Sequence, residues 1–206
     1  MTPSEGCEKH LSTESNSPMM EEVLIALSGL WLMLPALVPN SAAVLFGGGP
    51  PVDLGRSWRG RRLLGDGKTW CGLIGGCAAG VALGTLLMMI ALPFDAQGLW
   101  GFGRYPEAMV VVLVLSLGSL LGDMGGSFIK RRLGRSRGAS MPVLDQYDFL
   151  IGSMLLLLVF YPDWLLSNYW EGNRWIALLT VLVSVPLLHR GVNIIGYRMG
   201  RKDVPW

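Results

Sequence analysis

Carboxylates set among apolar residues, with cations gathered beside them, are the side chains of this sequence best placed to do chemistry. Asp123 follows an apolar run and precedes Met-Gly-Gly-Ser-Phe-Ile before the first cation, Lys130. Ser119, Asp123, Ser127 and Lys130 fall at i, i+4, i+8 and i+11, which is one face of a helix. At a rise of roughly 1.5 Å per residue, Asp123 should lie about 10 Å below that basic end. A carboxylate at such a depth costs about 2.5–3.5 kcal/mol, and such groups pair, line a cavity or bind a cation. Asp123 is therefore either a site wall or a structural partner of Arg131 or Arg132.

Asp145 and Asp148, spaced i, i+3, share a face at the start of a later apolar run. Alone they read as acidic residues answering a helix dipole. With Asp123 they can supply the few hard oxygens that Mg²⁺ takes while phosphates and waters complete its shell. The segment from Gly60 to Gly72 carries Asp66, Gly67, Lys68, Thr69 and Trp70. A P-loop is excluded, because Gly60-x-x-x-x-Gly65 is followed by Asp66-Gly67 rather than by Lys-Ser/Thr, and no strand precedes it. What survives is a set of glycines that expose backbone N–H groups, then Lys68 and Thr69 at a helix N-terminus, where phosphate oxygens are favoured. A basic patch against anionic lipid would explain the arginines. It would not explain Gly-Asp-Gly-Lys-Thr-Trp. His189, Asn193 and Tyr197 share another helix face, which reads either as structural or as a surface for a base or sugar.

These residues must be held by something, and the composition says what. Of 206 residues 51% are hydrophobic and only 16% charged, with a mean hydropathy of +0.44. A soluble domain carries about 25% charged residues. The apolar residues come in long runs nearly free of charge, which is the membrane signal. The spacing predicts an all-α, polytopic helix bundle of about five transmembrane helices, over residues 23–46, 69–93, 108–130, 148–167 and 175–198. Pro162 and Asp163 interrupt the fourth run, and Pro186 should kink the fifth.

Residues 1–20 read as a polar tail without the positive start of a signal peptide, and 21–206 as a single transmembrane catalytic domain. Basic residues crowd the loops at 47–68 and 131–147 and the C-terminal tail, so these should face the cytoplasm, with the N-terminus outside. Trp100, Tyr105, Trp164, Tyr169 and Trp170 fall in the opposite loops, where interfacial aromatics are expected. Gly72, Gly76, Gly80 and Gly84, then Gly118, Gly122 and Gly126, form stripes that bring helices together within the bundle or across a homodimer. The three cysteines make neither a disulfide framework nor a C-x-x-C pair.

No Ser-His-Asp set, H-E-x-x-H or Cys/His zinc spacing is present, so a metal-plus-phosphate site is the chemistry that remains. A small transporter would use the polar stripe as a permeation path, but no inverted half is visible. A lipid-binding scaffold would use the arginines alone.

Several pieces resemble, in order, the archaeal CDP-archaeol synthases, membrane CTP transferases related to phosphatidate cytidylyltransferases. They are Pro50-Pro51-Val52-Asp53, the Gly60–Gly72 segment, Gly122-Asp123-x-x-x-Ser127-Phe128-Ile129-Lys130-Arg131-Arg132, Pro142-x-x-Asp145-Gln146-x-Asp148-Phe149 and His189-x-x-x-Asn193. The resemblance covers roughly residues 23–198. It implies a multi-pass enzyme of the cell membrane, facing the cytoplasm, that uses CTP and Mg²⁺ on an unsaturated diether glycerol phosphate. A phosphatidate-type activity on diacyl lipid is the alternative, and no nucleic-acid partner is expected. Asp123, Asp145 and Asp148 are then expected on Mg²⁺, and Lys68, Lys130 and Arg131 on triphosphate or lipid phosphate. The catalytic set is Lys68, Asp123, Lys130 and Asp148. Asp66, Gly67, Lys68, Thr69, Trp70, Gly72, Ser127, Arg131, His189 and Asn193 form the substrate-binding set.

Overall fold

The computed structural model describes residues 17–95, 98–136, 139 and 141–198. Helices α1 (Pro18–Leu45), α2 (Trp70–Ala91), α3 (Glu107–Arg132) and α4 (Pro142–Phe160) are followed by a short α5 (Pro162–Tyr169), a 3₁₀ turn (Gly172–Arg174) and α6 (Trp175–Arg198). A two-stranded hairpin, β1 (Ser57–Trp58) and β2 (Arg61–Arg62), lies between α1 and α2, pairing Ser57 with Arg62 and Trp58 with Arg61. Among the described residues α1 to α4 are each long and apolar enough to cross a membrane. A fifth crossing is made if α5 and α6, which meet at 82°, count as one broken span.

The fourth span differs from the expected 148–167. Helix α4 begins at Pro142 and stops at Phe160. Pro162 disfavours helical geometry for the residue before it, and Tyr161 has φ −141° and ψ 56°. Pro162 instead opens α5, where a missing N–H costs nothing. Pro186 lies inside α6, which runs on to Arg198.

The interface aromatics divide. Tyr105 and Trp170 are exposed, whereas Trp164 and Tyr169 belong to the core. Trp164 stacks on Phe102 at 6.4 Å, and the Tyr169 hydroxyl donates to the Gly29 carbonyl at 2.9 Å. The Tyr169 ring can go inward because its polar end finds a partner there, and Trp164 is held by ring stacking.

Glycines set the helix spacing. The α2 stripe is buried against α1 and α3; a Cβ on Gly76 would sit 2.6 Å from the Pro39 carbonyl. On α3, Gly118 and Gly122 meet Gly152 of α4 so closely that a Cβ on Gly152 would come within 2.7 Å of the Gly122 nitrogen. Both stripes are thus used inside the bundle. Helix α1 contains Pro35 and Pro39. Pro39 has no N–H to give the Pro35 carbonyl, and the Ser116 hydroxyl of α3 reaches that oxygen at 3.2 Å.

Candidate functional site

The hairpin loop owes its shape to one carboxylate. Asp53, whose side chain is 1% exposed, takes a two-pronged contact from Arg62, Nη2 to Oδ1 at 2.8 Å and Nε to Oδ2 at 3.3 Å. The backbone N–H groups of Leu64, Gly65 and Gly55 donate to the same carboxylate at 3.0–3.1 Å. The Arg62 guanidinium, more than those N–H groups, holds the Asp53 carboxyl far below the usual carboxylate range, against the effect of burial. Gly65 turns with φ +105°, which a side chain would resist. The loop is also stitched to the start of α2: Val52 N–H donates to the Lys68 carbonyl at 2.7 Å and Trp70 N–H to the Pro50 carbonyl at 3.2 Å.

So anchored, the loop delivers Lys68 to α3, where its Nζ forms an ion pair with Asp123 Oδ2. Farther up α3, Lys130 Nζ pairs with Asp145 Oδ1 at 2.7 Å, and the other Asp145 oxygen accepts from Met141 N–H at 3.0 Å. Asp148 is buried, accepts from Phe149 N–H at 2.7 Å and packs its side chain on Gly126 of α3. Asp123, Lys130 and Lys68 all lie within electrostatic reach of it.

Above these groups opens a cleft of about 530 Å³. Arg61, Arg62, Lys68, Lys130, Arg131 and Arg135 line it, against the single acid Asp66. Gly67 and Ser127 also line it. Asp66 is held by Arg62 at 2.8 Å, and Arg131 Nη1 donates to the Arg135 carbonyl at 2.7 Å. Arg132 turns away from the cleft. It stacks on Trp58 and Phe128 and donates to the carbonyls of Trp58, Arg61 and Arg62, which docks the hairpin on α3.

Lys68, Asp123, Asp148, Lys130, Ser127, Arg131, Asp66 and Gly67 are thus brought together. Thr69 is buried as the N-cap of α2, its Oγ1 accepting from Gly72 N–H at 3.1 Å, and Gly72 packs on the Ala43 carbonyl. Both line a smaller cavity of about 60 Å³ below the cleft. Trp70 lines neither cavity and is 43% exposed. His189 and Asn193 fall in α6, but their side chains lie outside the described residues.

The three aspartates expected on a metal do not converge. Among the described residues no group of three or more His, Cys, Asp or Glu side chains could hold an ion. Asp145 has both oxygens engaged elsewhere. Asp123 and Asp148 remain within electrostatic reach of each other, and Mg²⁺ is an ion held by one or two carboxylates plus substrate phosphates rather than by a protein cage.

The residue types and spacings pointed to neither Asp53 nor Asn40. Asp53 offered no signal beyond its place in the Pro-Pro-Val-Asp piece. Asn40, a polar residue inside the first apolar run, lines the smaller cavity beside Lys68 and Asp123. Its position in a span was the available clue.

Comparisons with known proteins identify the family. The family model described as CarS-like, CDP-archaeol synthase, matches residues 20–206. The chain is 48% identical over 176 residues to a CDP-archaeol synthase of Methanoculleus marisnigri, covering 84% of this chain and all of the relative. It is 50% identical over 177 residues to that of Methanosphaerula palustris, with the same coverage. For Halorubrum lacusprofundi the identity is 44% over 182 residues, covering 88% of this chain and 98% of the relative. A solved structure of an intramembrane enzyme for archaeal membrane lipids biosynthesis is 38% identical and superposes with a TM-score of 0.55. It covers 78% of this chain and 94% of its own. On these matches, this chain belongs to the CDP-archaeol synthase family.

Proposed function

We propose that this protein transfers the cytidylyl group of CTP to an unsaturated archaeal diether glycerol phosphate, giving a CDP-activated lipid and pyrophosphate. Beyond family membership, the observation that carries this reading is the cleft. Six cations face it, and one of them, Lys68, is paired with Asp123, which lies within electrostatic reach of the buried Asp148. That arrangement fits a polyanion whose reacting phosphorus is presented to a membrane lipid.

In the reaction, an oxygen of the lipid phosphate forms a bond to the α-phosphorus of CTP. The bond from that phosphorus to the oxygen bridging to the β-phosphate breaks, and pyrophosphate leaves with the electron pair. The nucleophile is already an oxyanion, so no strong base is required. The barrier lies in bringing anions together and in the charge that develops on pyrophosphate, which positioned cations lower. Lys68, Lys130 and Arg131 are assigned to phosphate oxygens. Asp145 orients Lys130 through their 2.7 Å contact. Asp123 and Asp148 would hold Mg²⁺, which when bound neutralises phosphate charge at this point. By the positive-inside rule, the density of arginine and lysine at this end of the bundle supports a cytoplasmic cleft, where CTP is available.

The test uses purified full-length protein in detergent with radiolabelled CTP, Mg²⁺ and either a geranylgeranyl diether phosphate or phosphatidic acid. Labelled lipid from the diether, lost with EDTA and restored by Mg²⁺, is the expected result. Preference for phosphatidic acid would move the assignment to a diacyl lipid. No product from either would overturn it.

A further inference from the structure

Asn40 presents a buried amide oxygen within the apolar second half of α1, beside Pro39. The Ser119 hydroxyl gives its proton to the Ala36 carbonyl at 2.6 Å. Its oxygen can therefore only accept, and it does so from Asn40 Nδ2 at 3.2 Å. This chain of donors fixes which way the amide faces, an assignment that geometry alone often leaves open. Oδ1 must point away from Ser119, and there it is buried with no partner among the described residues. A carbonyl so placed lowers stability, and a buried polar group without a partner calls for an explanation.

The explanation lies beside it. Asn40 lines the 60 Å³ cavity together with Lys68, Thr69 and Asp123. That space admits at least one water, which needs two to four polar partners. Asn40 Oδ1 can accept from it and the Asp123 carboxylate can accept as well. The Lys68 ammonium has three N–H donors and uses one on Asp123, so another can be given to the water.

We propose that Asn40 is a positioning residue, which fixes the Lys68–Asp123 pair through water held in this cavity. The inference rests on the reading of that pair as part of the transferase site. Asn40 would act on the reaction only through the pair, because the 530 Å³ cleft, where substrate phosphate enters, has no Asn40 in its wall.

The experiment compares wild type with Asn40→Leu, Lys68→Arg, their double variant and Asp123→Asn. Melting temperature, kcat and KM for CTP are measured in the lipid assay. Leucine has the same branched outline, its larger bulk can enter the adjoining cavity, and it removes the unpartnered carbonyl, so Asn40→Leu should keep or raise the melting temperature. Its kcat/KM should nevertheless fall about 10- to 100-fold, the range for groups that orient a site carboxylate, with the loss mainly in kcat. In the Lys68→Arg background the same change should cost much less, because the ammonium that shares the water is gone. Wild-type turnover by Asn40→Leu, or an equal loss in both backgrounds, would overturn the proposal. If Asn40→Leu does not fold, Asn40→Ala, which is smaller than the residue it replaces, carries the same expectations. Loss of turnover in Asp123→Asn with normal Asn40 variants would remove the role of Asn40 alone. Normal turnover in Asp123→Asn would remove the reading of the pair itself.

Discussion

Lys68 and Asp123, 55 residues apart, form an ion pair that joins the loop before α2 to the middle of α3. The lysine reaches the pair because the Asp53 hub and the contacts from Pro50 and Val52 fix the backbone on either side of it. The carboxylate reaches it from the α3 face turned toward the start of α2, where Asp123 and Leu120 line the smaller cavity with Lys68 and Gly72. Loop chemistry and helix packing therefore converge on one contact at the base of the cationic cleft.

Replacing the charge of Asp123 while keeping its shape should separate chemistry from folding. Asp123→Asn retains a hydrogen-bonding side chain of nearly equal size beside Lys68. It should lower kcat/KM by about 10²–10³-fold, the cost of removing one preorganised electrostatic group. Its circular dichroism spectrum should match wild type. Turnover within a few-fold of wild type would contradict the assigned role.

Lys68→Arg keeps the charge and changes its form. An ammonium is a compact point charge, whereas a guanidinium is a planar fork that needs different geometry. A scaffold that holds anionic lipid by charge alone would tolerate the exchange. A fitted site should lose about tenfold in kcat/KM, or about 1.4 kcal/mol of transition-state stabilisation. Steady-state kinetics on the two proteins decides between them.

Much of this could be read from residue types and spacing. Asp123, Ser127 and Lys130 were legible because helix periodicity and intramembrane charge act within a single element. The limits of α2, α3 and α6 were legible for the same reason. Asp148 and Asp145 looked equivalent by spacing, yet Asp148 packs on Gly126 of α3 whereas Asp145 pairs with Lys130. The difference arises from α4 packing on α3 and from Met141 N–H capturing Asp145. The five contacts to Asp53 cross a loop whose path is set by tertiary bonds, and no periodicity encodes it. Trp164 and Tyr169 looked interfacial because burial at the turn between α5 and α6 depends on partners in other elements.

Asp53→Asn should unsettle the loop and leave the helices intact. At neutral pH the carboxylate accepts from a guanidinium and three N–H groups, and hydrogen bonds to charged groups contribute about 1.5–3 kcal/mol each. The native carboxyl titrates lower than in the unfolded chain, so its stabilisation is fully present above about pH 4. It is lost as the pH falls toward the native value. The difference in melting temperature between wild type and Asp53→Asn should be flat from pH 5 to 8 and shrink below about pH 4. A difference that grew on acidification would contradict the sign. KM for CTP should rise, since Leu64 to Lys68 line the cleft.

Two glycines offer a matched comparison of packing against propensity. A Cβ on Gly152 would run into the Gly118 carbonyl and the Gly122 backbone, which cannot move without parting α3 from α4. Gly152→Ala should therefore cost about 1–3 kcal/mol, the range for overpacking a tight core. It should also lower turnover, because Asp148 sits one helical turn away on the same face. Gly125 has nothing within 4 Å of the same construction. Gly125→Ala should gain about 0.5–1 kcal/mol from helix propensity. Thermal unfolding of both variants in one detergent checks the pair. If Gly152→Ala were as stable as Gly125→Ala, the close approach of α3 and α4 would not be what holds Asp148 against α3.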